Sequence, residues 1–285
     1  MSTSLQIRFG GYSIAGAKPV NQDAFAALCG HAESNLLKGA AAAIADGVSS
    51  CADSHVASQT SVTSFIDDYF STPYTWSVHK SARQIISSLN AWIYQQNSNR
   101  ASHNDSLLTT FSAVVLKSNT LHCFHVGDSR VYHVRGDAIE RLTQDHVRTE
   151  RGQEYLSRAL GADRHLELDY STHDLQVGDL VLLSTDGVHG VLKRPELLAL
   201  IAQHGTTDLE LLAKHMAQAA LKAGSDDNLT VLLMAVDALP QETLDEVHRK
   251  LTQLPIPPVL QVGNKIDGYE VQEIIFSGTR SHMYR

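Results

Sequence analysis

The sequence has 285 residues, 43% of them apolar, which is enough for one large domain, or one and a half, with a sizeable core. Its net charge of −8, with interspersed signs, argues against nucleic acid as a partner, and three scattered cysteines (Cys29, Cys51, Cys123) argue against disulfides and structural zinc. No apolar run approaches the ~20 residues that span a membrane, and no signal-like start is present, so we expect a cytoplasmic protein with no membrane partner in this segment.

The first hundred residues predict three strands followed by two helices. Apolar runs and alternation predict strands over 4–16, 24–28 and 39–45. Helical spacing of apolar residues then predicts a helix from about 53 to 69, ended by Pro73, and a second over 78–97. In the second helix, Trp92 falls on the apolar face, which we predict to be core.

The remainder of the first 237 residues alternates between strands and helices. Three strands over 109–117, 120–126 and 130–135 predict a β-meander with short turns. Residues 143–166 are polar and poorly periodic. Another strand, two helices and a closing strand are predicted to follow, over 181–185, 195–203, 208–223 and 229–236. Antiparallel strands interrupted by helix pairs are typical of an α+β layered fold.

The stretch from Gly39 to Val48 places one carboxylate at a strand end. Residues 39–45 read GAAAAIA, a run narrow enough to lie between two packed layers, and Asp46 ends it abruptly. Gly47 permits a tight turn with its carbonyl exposed, and a carboxylate beside a free carbonyl suits a divalent cation. On its own, this pattern is more typical of a strand that ends in an ordinary Asp-Gly turn, which is very common.

The same pattern recurs at other strand edges. Asp186 and Asp128 each follow an apolar run, Asp226 and Asp227 precede one, and Asp23 lies before a short one. Neighbouring carboxylates repel each other unless a cation neutralises them, so convergence of these residues would indicate a magnesium or manganese site with several ions. Spacing alone leaves open that they are unrelated turn aspartates.

Seven motifs in order resemble the metal-dependent Ser/Thr protein phosphatases of type 2C, over residues 7–237. These motifs are Lys18-Pro-Val-Asn-Gln-Asp23, Ala45-Asp46-Gly47-Val48, Thr109-Thr110-Phe111, Gly127-Asp128-Ser129-Arg130, Ser157-Arg158-Ala159-Leu160-Gly161, Ser184-Thr185-Asp186-Gly187-Val188 and Asp226-Asp227-Asn228-Leu229-Thr230-Val231. The resemblance implies a four-layer α-β-β-α sandwich, in which two antiparallel sheets pack face to face and helices flank them.

The resemblance also implies a binuclear Mn²⁺ or Mg²⁺ centre. Asp46 would bridge the two ions, and the carbonyl of Gly47 would bind one of them. Asp186 and Asp227 would complete this centre, and Asp23 would hold water beside the metals. These assignments come from the family's motifs rather than from spacing.

Four further features concern the edges of this centre. Asp128, with Asp186, matches the pair that binds a third metal in bacterial members. Lys18 stands where the family usually has a phosphate-binding Arg, and Lys offers a point charge rather than a bidentate fork. The Gly-rich stretch that usually follows the Asp-Gly motif reads Ser-Ser-Cys-Ala-Asp over 49–53. In the family, the region corresponding to 143–166 forms a mobile flap beside the site, and its short length here predicts a relatively open cleft.

The tail after Asp237 has a different character. We predict a helix over 240–254, a stiff Pro-rich linker over 255–258, and domain limits of 1–238, 239–265 and 266–285. Residues 266–284 resemble the first strand and glycine-rich loop of a protein kinase domain, although only Gly278 is present where that motif has three glycines. A truncated kinase-like domain is therefore expected there, and an ordinary tail is the alternative.

The expected activity is hydrolysis of phosphoserine and phosphothreonine in proteins by a metal-activated water, with Lys18 neutralising the phosphate. Phosphorylated proteins are the expected partners, together with a fused or cognate Ser/Thr kinase. His146 or His189, each close to a motif, could act as general acid. Two rivals remain open: a weakly catalytic phosphoprotein-binding or kinase-regulating module on the same fold, and hydrolysis of a small phosphomonoester.

Overall fold

A computed structural model describes residues 4–30, 37–51, 53–98, 100, 106–150, 152–241, 259–266, 268–278 and 282–285. The chain divides into two compact units, Met1–Glu242 and Thr243–Arg285. Within the described ranges, no helix combines the length and the apolar character needed to cross a membrane.

The first unit contains twelve strands and five helices among its described residues. In chain order they are β1 (Gln6–Ile14), β2 (Asp23–Cys29), β3 (Ala40–Asp46), α1 (Ser54–Ser71), α2 (Val78–Ser98), β4 (Phe111–Lys117), β5 (Thr120–Val126), β6 (Arg130–Arg135), β7 (Ala138–Arg141), β8 (Val147–Glu150), β9 (Gln153–Leu156), β10 (Asp169–Asp174), β11 (Leu180–Ser184), α3 (Asp186–His189), α4 (Arg194–His204), α5 (Leu209–Lys222) and β12 (Leu229–Ala238).

Two five-stranded antiparallel sheets form the centre of this unit. Their strand orders are β1-β12-β11-β6-β7 and β10-β5-β4-β3-β2. One apolar cluster joins the facing sides of the two sheets, a second joins the β3 sheet to α1 and α2, and a third joins the β12 sheet to α4 and α5. The predicted α+β sandwich of four layers, α-β-β-α, is therefore confirmed.

The alanine run of β3 lies between the helices and the opposite sheet. Ala41, Ala43 and Ala45 face the helices, whereas Ala40, Ala42 and Ile44 face the opposite sheet, and all six are fully buried. Successive strand residues point to opposite faces, so a strand covered on both sides must be apolar throughout. The small side chains fit this position as predicted, and the strand ends at Asp46, where the packed layers end.

The predicted β-meander is wrong at its third strand. β4 and β5 pair with each other, but β6 belongs to the other sheet, between β11 and β7. Gly127 makes the crossing with a φ of 109°, and a Cβ there would lie 2.5 Å from the Cβ of Thr110. Only glycine meets both requirements, and the crossing leaves Asp128 at the junction of the two sheets.

Both long helices are confirmed, but their apolar stripes are narrower than predicted. In α2, Ile85, Ile86, Leu89 and Ile93 are buried, whereas Trp92 is 41% exposed. Trp92 lies at the flank of the stripe rather than on its centre line, which explains its exposure. It is therefore not the core residue that we predicted.

The segment 143–166 forms a regular hairpin that periodicity did not indicate. β8 and β9 pair over four residues each, and all four side chains of β8 are exposed. β10 also escaped prediction, because its sequence DYSTHD lacks apolar alternation although it pairs with β5. Strands at sheet edges and in exposed hairpins need little apolar patterning, since one or both of their faces contact water.

The second unit is described over residues 259–266, 268–278 and 282–285. It contains two hairpins: β13 (Lys265–Ile266) with β14 (Tyr269–Glu270), and β15 (Ile274–Ser277) with β16 (His282–Tyr284). The predicted linker over 255–258, and all but the first two residues of the predicted helix over 240–254, lie outside the described residues. The proposed domain limits and the kinase-like character of 266–285 stay predictions.

Candidate active site

The predicted site residues come from strand ends in both sheets. In one sheet, Asp23 begins β2 directly opposite Asp46, the last residue of β3. In the other, Asp186 follows the end of β11 and Asp227 comes just before β12. Asp128 lies in the crossing between the sheets. Residues that are far apart in sequence therefore meet at one edge of the sandwich.

Four of these carboxylates line a single cavity of about 260 Å³. Its lining consists of Asp46, Val48, Ser49, Thr110, Asp128, Val147, Tyr155, Leu156, Asp186 and Asp227. The hairpin β8–β9 contributes Val147, Tyr155 and Leu156, three of the four apolar or aromatic members. The cavity therefore has one acidic wall and one largely apolar wall.

The backbone of Asp46 is fixed by threonines of the neighbouring strand. Its amide donates to Thr110 Oγ1 at 3.0 Å, and its carbonyl accepts from the Thr110 amide and from Thr109 Oγ1, each at 2.8 Å. A Cβ on Gly47 would lie 2.8 Å from the Ser54 carbonyl and 2.9 Å from the Gln22 carbonyl oxygen. Glycine is therefore required at the turn that follows the carboxylate.

Asp23 is oriented by hydroxyl groups from the opposite sheet. Its Oδ2 accepts hydrogen bonds from Thr185 Oγ1 at 2.9 Å and from Thr230 Oγ1 at 2.6 Å. Its Oδ1 is buried and has no hydrogen-bond partner among the described residues, and the same holds for Asp186 Oδ1. Two buried carboxylate oxygens are thus left unsatisfied, which is costly unless a ligand binds them.

The carboxyl groups raise one another's pKa. Burial raises the pKa of Asp46 well above its usual range, and the charges of Asp23, Asp186 and Asp128 raise it further. Burial and neighbouring acids also raise the pKa of Asp23 to about 7 and that of Asp128 to about 7. For Asp186, burial is the main cause of a raised pKa, followed by the charge of Asp227. Such a cluster lacks positive charge.

This donor set fits a hard divalent cation. Across the described ranges, no three or more His, Cys, Asp or Glu side chains form a ready-made ligand set for one ion. Mg²⁺ does not require such a set, because it is usually held by one or two carboxylates and keeps several waters. Unsatisfied carboxylate oxygens, mutual repulsion and the absence of thiol or imidazole from the cavity lining favour ions that bind oxygen.

Lys18 is positioned at the rim of the cluster. Its Nζ lies 3.3 Å from Asp227 Oδ2, and about a third of its side chain is exposed. It therefore offers positive charge beside the carboxylates while remaining accessible to an incoming anion. One ammonium group falls short of balancing five carboxylates.

The two candidate histidines are engaged elsewhere. His146 Nδ1 accepts a hydrogen bond from the Gly127 amide at 3.1 Å, and its Nε2 lies 3.0 Å from Asp169 Oδ2. His189 is buried, and its Nδ1 is 2.9 Å from Ser184 Oγ. Burial lowers the pKa of His189 to about 3, with a smaller contribution from Arg130. Neither ring lines the cavity, so both are poorly placed to act as general acid.

Sequence reasoning missed the groups that orient the carboxylates. Thr185 directly precedes Asp186, and Thr230 lies three residues after Asp227. The motifs that contain them do not indicate that their hydroxyl groups bind Asp23. Hydroxyl residues next to buried carboxylates were the available signal. The sequence gives no indication of the apolar wall, because the path of the hairpin β8–β9 in the fold is what brings its side chains to the cavity.

The model of the protein phosphatase 2C family matches residues 10–232, so the chain belongs to the protein phosphatase 2C family. Members of this family depend on bound metal. The match includes every predicted site residue of the first unit.

Named relatives and solved structures agree with this assignment. Protein phosphatase PhpP of Streptococcus pneumoniae is 26% identical over 147 residues, which are 45% of this chain and 58% of that protein. Serine/threonine phosphatase stp of Listeria innocua is 30% identical over 142 residues, covering 44% and 56% of the two chains. The chain thus spans somewhat more than half the length of these two relatives.

The fold is also shared with a solved structure. Serine/threonine phosphatase Stp1 from Staphylococcus aureus superposes with a TM-score of 0.72, covering 84% of this chain and 98% of that one, at 20% identity. At this identity the likeness concerns the fold.

Proposed function

We propose that the chain is a metal-dependent protein serine/threonine phosphatase, which hydrolyses phosphoserine and phosphothreonine in proteins. The observation that carries this proposal is the meeting of Asp46, Asp128, Asp186 and Asp227 around one cavity, with Asp23 directly opposite Asp46 and Lys18 beside Asp227. Membership of the protein phosphatase 2C family supports the same reaction.

We propose Mn²⁺ or Mg²⁺ as the cofactor, with two ions held by Asp46, the Gly47 carbonyl, Asp186 and Asp227. Asp128, together with Asp186, would hold a third. When bound, such ions supply a water of lowered pKa and neutralise charge on a phosphoryl group. The raised pKa values of Asp46 and Asp186 support this assignment, because cations would relieve the repulsion that causes them.

The chain's own residues would bind and orient the substrate. Lys18 would contact phosphate oxygens as a point charge, which constrains geometry less than the fork of an arginine. Asp23, held by Thr185 and Thr230, would accept a hydrogen bond from water beside Asp46. Val147, Tyr155 and Leu156 would exclude bulk water from the other side, which strengthens electrostatic interactions inside the cavity.

We propose phosphorylated proteins as substrates and a fused or cognate Ser/Thr kinase as a partner. The hairpin β15–β16, with Gly278 at its turn side, supports a kinase-like opening for residues 266–285. Release of phosphate from an autophosphorylated Ser/Thr kinase is the measurement that tests the partner. A cytoplasmic location stays a prediction of the sequence.

The test of the activity is hydrolysis of a phosphothreonine peptide in Mn²⁺, in Mg²⁺ and in EDTA. Metal-dependent turnover that disappears in the Asp186→Ala variant would support the proposal. Binding of the peptide by folded protein without turnover in either metal would instead favour a phosphoprotein-binding module. Turnover of p-nitrophenyl phosphate but not of phosphopeptide would favour a small phosphomonoester as substrate.

A further inference from the structure

The loop over residues 15–22 joins β1 to β2 and carries Lys18. The side chain of Asn228, which directly precedes β12, holds this loop through hydrogen bonds. Asn228 Oδ1 accepts from the Gln22 amide at 2.8 Å, while Nδ2 donates to the carbonyls of Ala15 and Val20, each at 2.9 Å. Both ends of the loop are therefore held by one side chain, which is only 3% exposed.

The backbone of Asn228 contacts the partner of Lys18. Its amide donates to Asp227 Oδ1 at 2.8 Å, and the other oxygen of that carboxylate, Oδ2, lies 3.3 Å from Lys18 Nζ. Asn228 thus orients Asp227 through its backbone and the loop of Lys18 through its side chain. A single residue fixes both members of the ion pair.

Close packing around Asn228 leaves little room for the loop to shift. Gly16 has a φ of 61°, and a Cβ there would lie 2.3 Å from the Asp227 carbonyl oxygen. A Cβ on Gly187, next to Asp186, would lie 2.0 Å from the Asn228 carbonyl oxygen. The loop, Asp227 and the start of α3 are therefore in backbone contact at this point.

We infer that Asn228 is a positioning residue that holds the Lys18 loop, so that the ammonium group remains beside Asp227 where phosphate would bind. This inference rests on the proposed function, in which Lys18 contacts phosphate. A lysine has a flexible four-carbon stem and no bidentate geometry, so a fixed backbone removes one of the two sources of freedom in the position of its charge. Pre-organising that backbone lowers the entropy cost of binding the anion.

Asn90 provides a matched control for a purely structural role. It is 1% exposed and accepts from the Gly161 amide at 2.9 Å, while its Nδ2 donates to the carbonyls of Asp163 at 2.9 Å and Arg164 at 3.5 Å. Asn90 therefore ties down a loop by the same three kinds of bond. None of its partners lines the acidic cavity.

The first test compares Asn228→Ala with Asn90→Ala in thermal unfolding and in kinetics with a phosphothreonine peptide. Both variants should unfold at lower temperature, because each loses three buried hydrogen bonds. Only Asn228→Ala should raise KM, by about tenfold, with kcat changed less than about threefold. An unchanged KM in Asn228→Ala, or an equal rise in Asn90→Ala, would overturn the inference.

A double variant shows whether Asn228 acts through Lys18. In a Lys18→Ala background, Asn228→Ala should change KM less than about twofold, since the interaction that it positions is already absent. Full multiplication of the two single effects would overturn the inference. If Asn228→Ala does not fold, Asn228→Asp serves instead, because it keeps the acceptor for Gln22 and loses both donors.

Hydrogen exchange gives a readout that is independent of turnover. Amides of residues 16–22 should exchange faster in Asn228→Ala than in the unaltered protein, and should not change in Asn90→Ala. Unchanged exchange in Asn228→Ala would overturn the inference. Faster exchange in a protein that hydrolyses no phosphopeptide would contradict the proposed function while leaving the role of Asn228 in holding the loop intact.

Discussion

An aspartate lies at each end of strand β11, and the fold surrounds the two carboxylates in opposite ways. Asp179, just before the strand, is 1% exposed and receives hydrogen bonds from Arg135 Nε and Nη2 and from the Gln176 amide, each at 2.7 Å. Burial alone would raise its pKa, but these bonds and the adjacent His133 outweigh burial and hold the pKa of Asp179 well below the usual range.

At the other end of the strand, Asp186 meets four further carboxylates. Burial and Asp227 raise the pKa of Asp186, and its Oδ1 has no partner among the described residues. Among the described residues, Lys18 forms an ion pair with this cluster through Asp227. The chain thus supplies its own arginine where a carboxylate is structural, and leaves the cluster short of positive charge where we propose a metal.

The largest expected effect comes from removing one negative charge from the acidic cluster. Asp46→Asn should lower kcat/KM for a phosphothreonine peptide by at least about a hundredfold, because bound metal contributes several kcal/mol to the reaction. Steady-state kinetics in Mn²⁺ measures this. The Asp179→Asn variant, assayed at a temperature where it is folded, is the control and should remain active. Retained activity in Asp46→Asn after metal removal and resupply would contradict the assignment of Asp46.

The second effect is a loss of stability when the pairing of Asp179 with Arg135, just before β11, is weakened. Asp179→Asn should lower the free energy of unfolding by about 2–3 kcal/mol, somewhat less than for a fully buried pair because Arg135 is partly exposed. Urea unfolding followed by circular dichroism measures the change. A loss below 0.5 kcal/mol would show that Arg135 does not compensate Asp179 in the way we describe.

The buried imidazole of His125 makes the stability of the fold depend on pH in the acid range. Burial, helped by His146, lowers the pKa of His125 to about 4. Between pH 6.5 and 4 the unfolded chain therefore binds a proton at this residue that the folded chain does not, so His125 alone lowers stability by about 1.4 kcal/mol for each pH unit of acidification. His125→Gln should flatten this part of the stability curve. An equally steep acid loss in that variant would assign it to other groups.

The smallest effect is expected when Lys18 is replaced by another cation. Lys18→Arg should lower KM for the phosphopeptide by roughly threefold, since a guanidinium can bind two phosphate oxygens at once. Lys18→Gln, which removes the charge, should raise it. A rise of KM in both variants would indicate that the length of the lysine, rather than its charge, fits this loop.

The sequence predicted the fold and the acidic site through features that are local. The alanine run of β3, the aspartates at strand ends and the helical stripes of α1 and α2 are each visible within a few residues. The family motifs then brought distant aspartates together, which spacing alone did not do.

What escaped prediction depends on contacts between distant segments. The crossing at Gly127 is set by its close approach to Thr110, and the pairing of Arg135 with Asp179 requires β6 and β11 to be neighbours. Neither leaves a periodic pattern. The hairpin β8–β9 was missed for another reason, because the side chains of β8 are all exposed and the apolar residues of the hairpin are few.

The most direct test is thermal unfolding of the unaltered protein and of Asp46→Asn, each in EDTA and in Mn²⁺. If the acidic cluster is short of positive charge, Asp46→Asn should unfold at a higher temperature than the unaltered protein in EDTA. Saturating Mn²⁺ should raise the unfolding temperature of the unaltered protein by roughly 5–10 °C and that of Asp46→Asn much less. A lower unfolding temperature for Asp46→Asn in EDTA, with no response of either protein to Mn²⁺ or Mg²⁺, would contradict the account.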